Sequence, residues 1–282
     1  MSVYCPPELR QLYRAGRLIP FVGAGVSMSV EWNVGGRLRR GPSWRELVDQ
    51  AARYLGFSEP DLLRVRGTDL QILEYFYAKS SGFGELHNWL VREMTPPDDA
   101  LKASPIHRRL AALELCRLYY TTNYDDFIER AFELLGRRCK AVVIEAHMGH
   151  FDPDPSACEV IKFHGDLAHP DKMVLSESHY EARLSLQTEM DFRLRSDILG
   201  RALLFLGYSF RDWNVSYLFR LVNAEFDALP DSSSGRRAYI TVPEPSDFEF
   251  RLFQQRNIEV IPVSSSATTA DVSDLLEQIG RA

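Results

Sequence analysis

Seven short segments along the chain have the composition of buried β-strands. Each holds five or six residues in which apolar types dominate. Amphipathic segments with helical periodicity separate most of them, and this alternation predicts a parallel sheet with helices on both faces. We therefore predict an α/β fold, a Rossmann-like doubly wound parallel sheet. The predicted strands are Leu18–Val22, Cys116–Thr121, Lys140–Ile144, Cys158–Phe163, Ala202–Leu206, Ala238–Val242 and Ile258–Val263.

Residues 31–100 interrupt this alternation, because they contain no convincing strand. A Gly- and Arg-rich stretch from Val34 to Gly41 reads as a loop. Ser43 and Glu46 then fit a capping box at the start of an amphipathic helix. Helical periodicity continues until the breaker Thr95–Asp99. We predict a single domain over residues 1–282, with a Rossmann-like core of residues 1–30 and 101–282 and a helical insertion of residues 31–100.

Composition narrows the class of protein. The 282 residues are 45% hydrophobic and 26% charged, as in ordinary globular chains, and the net charge of −6 argues against a constitutive nucleic-acid binder. The first residues do not resemble a signal peptide, and no apolar run approaches the roughly 20 residues of a membrane helix. The four cysteines form no C-x-x-C pair, which makes a zinc ribbon improbable. We expect a cytoplasmic protein without a resident metal.

Polar clusters follow four of the predicted strands. They are Gly23-Ala24-Gly25-Val26-Ser27, Thr121-Thr122-Asn123-Tyr124-Asp125, His164-Gly165-Asp166 and Gly207-Tyr208-Ser209. Ligands of open parallel α/β sheets bind beyond the carboxyl ends of the strands, so these clusters are expected to meet in one crevice. A glycine turn suits a pyrophosphate. Met28 stands where a dehydrogenase has its third fingerprint glycine, which disfavours hydride transfer.

Each cluster also has a plainer structural interpretation. The glycines are compatible with a purely structural turn, and Asn123 or Asp125 with capping of the following helix. His164 is a candidate general base if its pKa is near neutrality, although an isolated histidine at a strand end is often structural. A fifth group, from His147 to Asp154, is rich in potential metal ligands but lies in a loop-like, Pro-containing stretch.

The motif order G-A-G-x-S, T-x-N-x-D, H-G and G-x-S resembles that of the sirtuin superfamily, whose members bind NAD. Two further features, Pro42-Ser43-Trp44 and Gly207-Tyr208-Ser209-Phe210 with Asp212, resemble the SIR2-like domains of bacterial antiphage defence systems. The resemblance covers nearly the whole chain.

The resemblance implies roles for individual residues. Asn123 would order the attacking water or the nicotinamide ribose, and His164 would act as the base. Asp125 would contact the nicotinamide end of NAD. The remaining implied NAD-binding residues hold the pyrophosphate, its ribose or the adenosine side, and are Gly23, Ala24, Gly25, Ser27, Gly207 and Ser209.

Departures from the deacylating sirtuins sharpen the implied activity. This chain lacks their two C-x-x-C pairs, and Trp32-Asn33 stands in place of their Asp-Phe-Arg signature. The resemblance thus implies hydrolysis of NAD to nicotinamide and ADP-ribose, as an effector of abortive infection. A non-catalytic NAD or ADP-ribose binding module and an NAD-dependent protein deacylase are the alternatives. The implied partners are further copies of the chain and a HerA-like ATPase, with an Argonaute-like protein as an alternative.

Overall fold

A seven-stranded parallel sheet forms the centre of the protein. The computed structural model describes residues 3–144, 157–184, 188–208 and 238–281. All seven predicted strands are present, with bounds that differ from the prediction by no more than two residues. The sheet strands are β1 Leu18–Val22, β4 Leu118–Thr121, β5 Cys139–Val142, β6 Cys158–Lys162, β7 Ala202–Leu206, β8 Ala238–Pro243 and β9 Ile258–Val263. Their order is β5-β6-β4-β1-β7-β8-β9, and every neighbouring pair is parallel.

The sheet is covered by helices on both faces, which explains why its strands are apolar along their whole length. In β1, Leu18 and Val22 point into one core, and Ile19 and Phe21 into the other. The predicted doubly wound α/β fold is confirmed. The helices are α1 Pro7–Arg14, α2 Ala24–Met28, α3 Trp44–Tyr54, α4 Pro60–Arg64, α5 Asp69–Ser80, α6 Gly84–Glu93, α7 Asp98–Ala103, α8 Pro105–Ala112, α9 Phe127–Leu134, α10 Glu177–Leu184, α11 Glu189–Gly200, α12 Asp247–Gln255 and α13 Thr268–Gly280.

The first core lies under α1, α8, α9 and α13, and the second under α11 and α12. In the sheet, β1 lies between β4 and β7. Strands β4 to β6 lie on the β4 side of β1, and the later strands lie on the β7 side. This change of direction opens a crevice at the carboxyl ends of the central strands, where ligands of such folds bind. Across the described ranges, no helix combines the length and apolar character needed to cross a membrane.

The expectation that residues 31–100 contain no strand is wrong at one place. Glu31–Val34 (β2) and Arg37–Arg40 (β3) form an antiparallel hairpin. Gly35 and Gly36 form its two-residue turn with φ of 58° and 80°, the backbone that such tight hairpins require. Its strands are mostly exposed and rich in arginine, so hydrophobicity gave no signal for them.

Helices α3 to α6 pack around an apolar cluster of their own. Val48, Leu73, Phe76 and Leu86 are among its fully buried members, and Tyr124 joins it from the segment after β4. The capping box predicted at the start of α3 is present, since the Ser43 hydroxyl accepts from the Glu46 amide and the Glu46 carboxylate accepts from the Ser43 amide. The predicted helix around residues 213–226 lies outside the described residues.

Candidate active site

The polar clusters that follow β1, β4 and β6 meet at one cavity. These three strands are neighbours in the sheet, so the residues that follow their carboxyl ends lie side by side. The cavity has a volume of about 350 Å³. Among the residues predicted from sequence, those that line it are Ala24, Ser27, Asn123, Asp125 and His164.

The opposite wall of the cavity comes from the helices between β3 and β4 and from α10. It is mainly apolar or aromatic, with a few polar side chains. Its members are Pro42, Ser43, Trp44, Leu47, Thr68, Asp69, Leu70, Leu90, Met94 and Tyr180, and Thr122 and Tyr124 complete the lining. A cavity of this composition suits a ligand with a flat apolar part and a few polar groups.

Asn123 is held by its carboxamide nitrogen. Nδ2 donates to the Gly23 carbonyl oxygen at 3.0 Å and to Ser27 Oγ at 2.8 Å, and the side chain is 6% exposed. A carbonyl oxygen can only accept, so Nδ2 must face Gly23 and the orientation of the amide is fixed. Asn123 Oδ1 forms no hydrogen bond with the described residues and is available to a ligand at the cavity.

Ser27 links Asn123 to Asp125. The Ser27 hydroxyl donates to Asp125 Oδ2 at 2.7 Å, and the Phe127 amide donates to Asp125 Oδ1 at 3.1 Å. Asp125 therefore also performs the structural role considered from sequence, since it binds the first amide of α9. Burial raises the pKa of the Asp125 carboxyl, while the Lys162 ammonium and the two hydrogen bonds act to lower it.

The glycines of the first and last clusters allow two backbone segments to pack closely together. Gly23, Gly25 and Gly207 do not line the cavity. The Gly25 amide donates to the Gly207 carbonyl at 2.9 Å, and a Cβ on Gly207 would lie 2.5 Å from the Val26 nitrogen. Their lack of side chains lets the β1–α2 turn pack against the end of β7. Ser209 lies outside the described residues.

His164 occupies the cavity as a neutral side chain. It is 3% exposed, its ring packs edge-on against Tyr180 with centroids 5.2 Å apart, and its ring nitrogens form no hydrogen bond with the described residues. Burial and the nearby Arg183 guanidinium lower its pKa from 6.5 to about 3. The pKa near neutrality that we assumed for His164 from sequence is therefore not found.

Three residues contribute to the site in ways that were not predicted from sequence. Trp44 and Tyr180 form an edge-to-face pair at the cavity, with centroids 6.5 Å apart. Tyr208 braces two strand ends, because its hydroxyl contacts Thr122 Oγ1 at 2.9 Å and the Val22 carbonyl at 3.0 Å. Trp44 and Tyr180 come from distant helices, so their meeting depends on tertiary packing that no local pattern encodes.

Metal ligation has no candidate site in the described ranges, where no three His, Cys, Asp or Glu side chains are grouped to hold an ion. The His147–Asp154 stretch lies outside the described residues.

The fold and the cavity define an open α/β protein of the Rossmann-like class, with a cavity at the carboxyl ends of its central strands. Residues 117–261 match the family model of the SIR2-like domain, which spans half of the chain. The chain belongs to the SIR2-like domain family, and the resemblance inferred from its motifs is confirmed.

Several relatives have names that state an activity or a role. The chain is 28% identical over 210 residues to the "NAD(+) hydrolase ThsA" of Acinetobacter baumannii (strain 532279), covering 73% of this chain and 39% of that protein. It is 27% identical to the protein of the same name from Bacillus cereus (strain MSX-D12), covering 83% and 46%. "Defense-associated sirtuin 2" of Bacillus subtilis is 25% identical, covering 93% and 25%. The chain thus spans less than half the length of these relatives.

A solved chain described under "Structural Basis for the Mechanism and Regulation of Sir2 Enzymes" aligns with 98% of both chains, at 14% identity and a TM-score of 0.49.

Proposed function

We propose that this chain is an NAD⁺ glycohydrolase that cleaves NAD to nicotinamide and ADP-ribose and acts as an effector of antiphage defence by depleting NAD. The observation that carries the proposal is the meeting of Asn123 and His164 at one cavity, each with polar atoms that form no hydrogen bond with the described residues. Membership in the SIR2-like family and relatives named NAD(+) hydrolase support the choice of NAD.

The chemistry of NAD suits this arrangement. Its nicotinamide ring is positively charged before cleavage, so the ring leaves readily and the ribose passes through a state with oxocarbenium character. The protein then needs mainly to position the glycosidic bond and a water molecule. Asn123 Oδ1 is an acceptor that orders the water or a hydroxyl of the ribose. A neutral His164 avoids repulsion between an imidazolium and the cationic substrate.

His164 is proposed to accept the proton that water loses as it attacks the anomeric carbon, directly or through a ribose hydroxyl. Burial and Arg183 make His164 a weak base. The positive charge passes from the nicotinamide ring to the ribose, and it is lost when water adds to the anomeric carbon and gives its proton to His164. A positioned general base contributes about 10²–10⁴-fold to the rate. We expect a loss of this size in His164→Ala.

We propose different NAD-binding roles for the residues that line the cavity and for those that do not. Ala24 and Ser27 lie at the cavity and are proposed to contact the pyrophosphate or its ribose. Asp125 lines the cavity and is proposed to contact the nicotinamide end, because its carboxylate can accept more than the two hydrogen bonds from Ser27 and Phe127. The three packed glycines and Ser209 are proposed to shape the pyrophosphate and adenosine side.

Incubation with NAD, with and without an acylated peptide, tests the proposal against its alternatives. We expect the wild type to release nicotinamide at the same rate in both reactions. Release that depends on the peptide, with transfer of its acyl group, would identify a deacylase. Binding of NAD without any turnover would identify a non-catalytic module.

Control of the activity is proposed to come from assembly, either among copies of this chain or with a partner ATPase of the HerA type; an Argonaute-like partner is the alternative. Unrestrained destruction of NAD would kill the host cell. Size-exclusion chromatography with light scattering, followed by an NAD assay on each species, tests this. A chain that is strictly monomeric and fully active by itself would contradict it.

A further inference from the structure

Lys162 is a lysine with 1% of its side chain exposed, at the last position of β6 and two residues before His164. Lysines are almost never fully buried unless they are paired. The side chain does not line the cavity. Its burial therefore calls for a role other than contact with a ligand.

The Lys162 ammonium connects β6 to the segment that carries Asn123. Nζ donates to the backbone carbonyl of Asp125 and lies 3.2 Å from Glu129 Oε1 on α9. The second oxygen, Glu129 Oε2, is buried without a hydrogen-bond partner. Lys162 thus anchors the backbone two residues beyond Asn123 and places a positive charge at the Asp125 carbonyl.

An ionised Asp125 fixes the Ser27 hydroxyl that accepts from Asn123. Both Asp125 oxygens accept, from Ser27 Oγ and from the Phe127 amide. Ser27 has one hydroxyl hydrogen, and because Asp125 takes it, the Ser27 oxygen is held where it accepts from Asn123 Nδ2. A proton on Asp125 Oδ2 would leave the Ser27 hydrogen without this acceptor, and Asp125 would no longer hold the hydroxyl in this orientation.

Charged groups act on Asp125 and on its partner Lys162. Asp126 and Glu129, at the start and in the first turns of α9, act on Asp125, as does Lys162 at the end of β6. Asp166, after β6, acts on Lys162. Ser27 faces Asp125 from α2. Burial and Asp126 raise the pKa of Asp125, and the Lys162 ammonium opposes them.

We propose that Lys162 is a positioning residue for Asn123. It fixes the Asp125 carbonyl and keeps the Asp125 side chain a carboxylate, so that the Ser27 hydroxyl stays oriented and the segment that carries Asn123 stays in place at the cavity. The proposal rests on the proposed hydrolysis of NAD for its kinetic readout.

Lys162→Met tests the proposal, because methionine keeps much of the volume and removes the charge and the donor. We expect kcat for NAD to fall on the order of 100-fold, as for a misplaced catalytic group, with a much smaller change in KM. The acid limb of the pH profile of kcat should move to higher pH, because Asp125 loses the cation that opposes its protonation.

Two further variants separate positioning from stability. Glu129→Gln keeps an acceptor for Nζ but removes a negative charge, so the acid limb should move to lower pH. The double variant Lys162→Met/Glu129→Gln removes both members of the buried pair and should regain thermal stability relative to Lys162→Met. Its kcat should stay low. A double variant with wild-type kcat and pH profile would reduce Lys162 to a structural role and overturn the proposal.

Failure of the proposed function can be told apart from failure of this inference. If the wild type consumes no NAD, ¹³C NMR titration of the Asp125 carboxyl in wild type and Lys162→Met still tests it. A higher pKa of Asp125 in the variant supports the inference. An unchanged pKa of Asp125 overturns it whatever the enzyme's activity.

Discussion

At the scale of single residues, the protein uses one carboxamide in two ways. Asn123 donates its two amide hydrogens to Gly23 and Ser27, and its side-chain oxygen is available at the cavity. Asn123→Asp keeps the shape but places an oxygen against the Gly23 carbonyl. The variant loses the two hydrogen bonds and gains repulsion between its carboxylate and the Gly23 carbonyl. Together these effects should lower the free energy of unfolding by about 1–3 kcal/mol and abolish NAD turnover.

The exposed Asn33 provides the matched control for that prediction. Its Oδ1 accepts from the Gly36 amide, which an aspartate can also do. Denaturant unfolding of both variants gives the comparison. Equal stability of Asn123→Asp and Asn33→Asp would show that the Asn123 amide hydrogens contribute nothing.

Two buried histidines make stability depend on pH. Burial lowers the pKa of His107 to about 4, and burial with Arg183 lowers that of His164 to about 3. Below pH 6.5 the unfolded chain takes up protons that the folded chain does not, so the free energy of unfolding falls as the pH falls. Each histidine should contribute a loss of about 2 kcal/mol between pH 7 and pH 5.

Denaturant titrations at these two pH values measure this loss. His107→Asn lies away from the cavity and should show about half of the histidine contribution to the pH dependence. If the wild type and His107→Asn lose the same stability on acidification, His107 is not a buried neutral histidine.

At the scale of elements, the β1–α2 turn and the end of β7 are joined through glycine backbones. Gly207 has φ +71°, and an added Cβ would lie 2.5 Å from the Val26 nitrogen. Gly16 has a similar φ of +64° and open space around it, so Gly16→Ala measures the cost of the backbone conformation alone, about 1–2 kcal/mol. Gly207→Ala should lower the melting temperature more and reduce NAD turnover as well.

A Gly207→Ala variant as stable as Gly16→Ala would show that the two turns do not need this close approach. Thermal unfolding followed by circular dichroism measures both variants under the same conditions.

Elements were predictable where burial dictates composition. The seven sheet strands are covered on both faces, so Leu18–Val22 or Ala202–Leu206 read as continuous apolar runs. The β2–β3 hairpin was missed because its outward residues, such as Arg37 and Leu38, are exposed and follow no core pattern. The Gly35-Gly36 turn was its one signal in the sequence.

At the scale of the whole molecule, the sheet topology explains how much of the site could be predicted. Parallel strands bring the residues after their carboxyl ends together, so Ser27, Asn123 and His164 could be expected to meet. The glycines mark two turns that also pack closely through their backbones, a contact that the motif did not predict. No role was predicted for Lys162, because its partners Asp125 and Glu129 come from other elements.

The low pKa of His164 could not be predicted from sequence either. It depends on the burial of His164 and on Arg183, which lies on α10, later in the sequence but near His164 in space. Local motifs name the residue types at a site, whereas their protonation follows from the assembled fold.

Chromatographic identification of the products formed from NAD tests the central claim most directly. Wild type and Asn123→Ala should be compared at equal concentration, with Asn33→Ala as a control for the substitution itself. We predict equimolar nicotinamide and ADP-ribose from the wild type and from Asn33→Ala, and essentially none from Asn123→Ala. Intact NAD after incubation with the assembled wild-type protein, or undiminished cleavage by Asn123→Ala, would contradict the account.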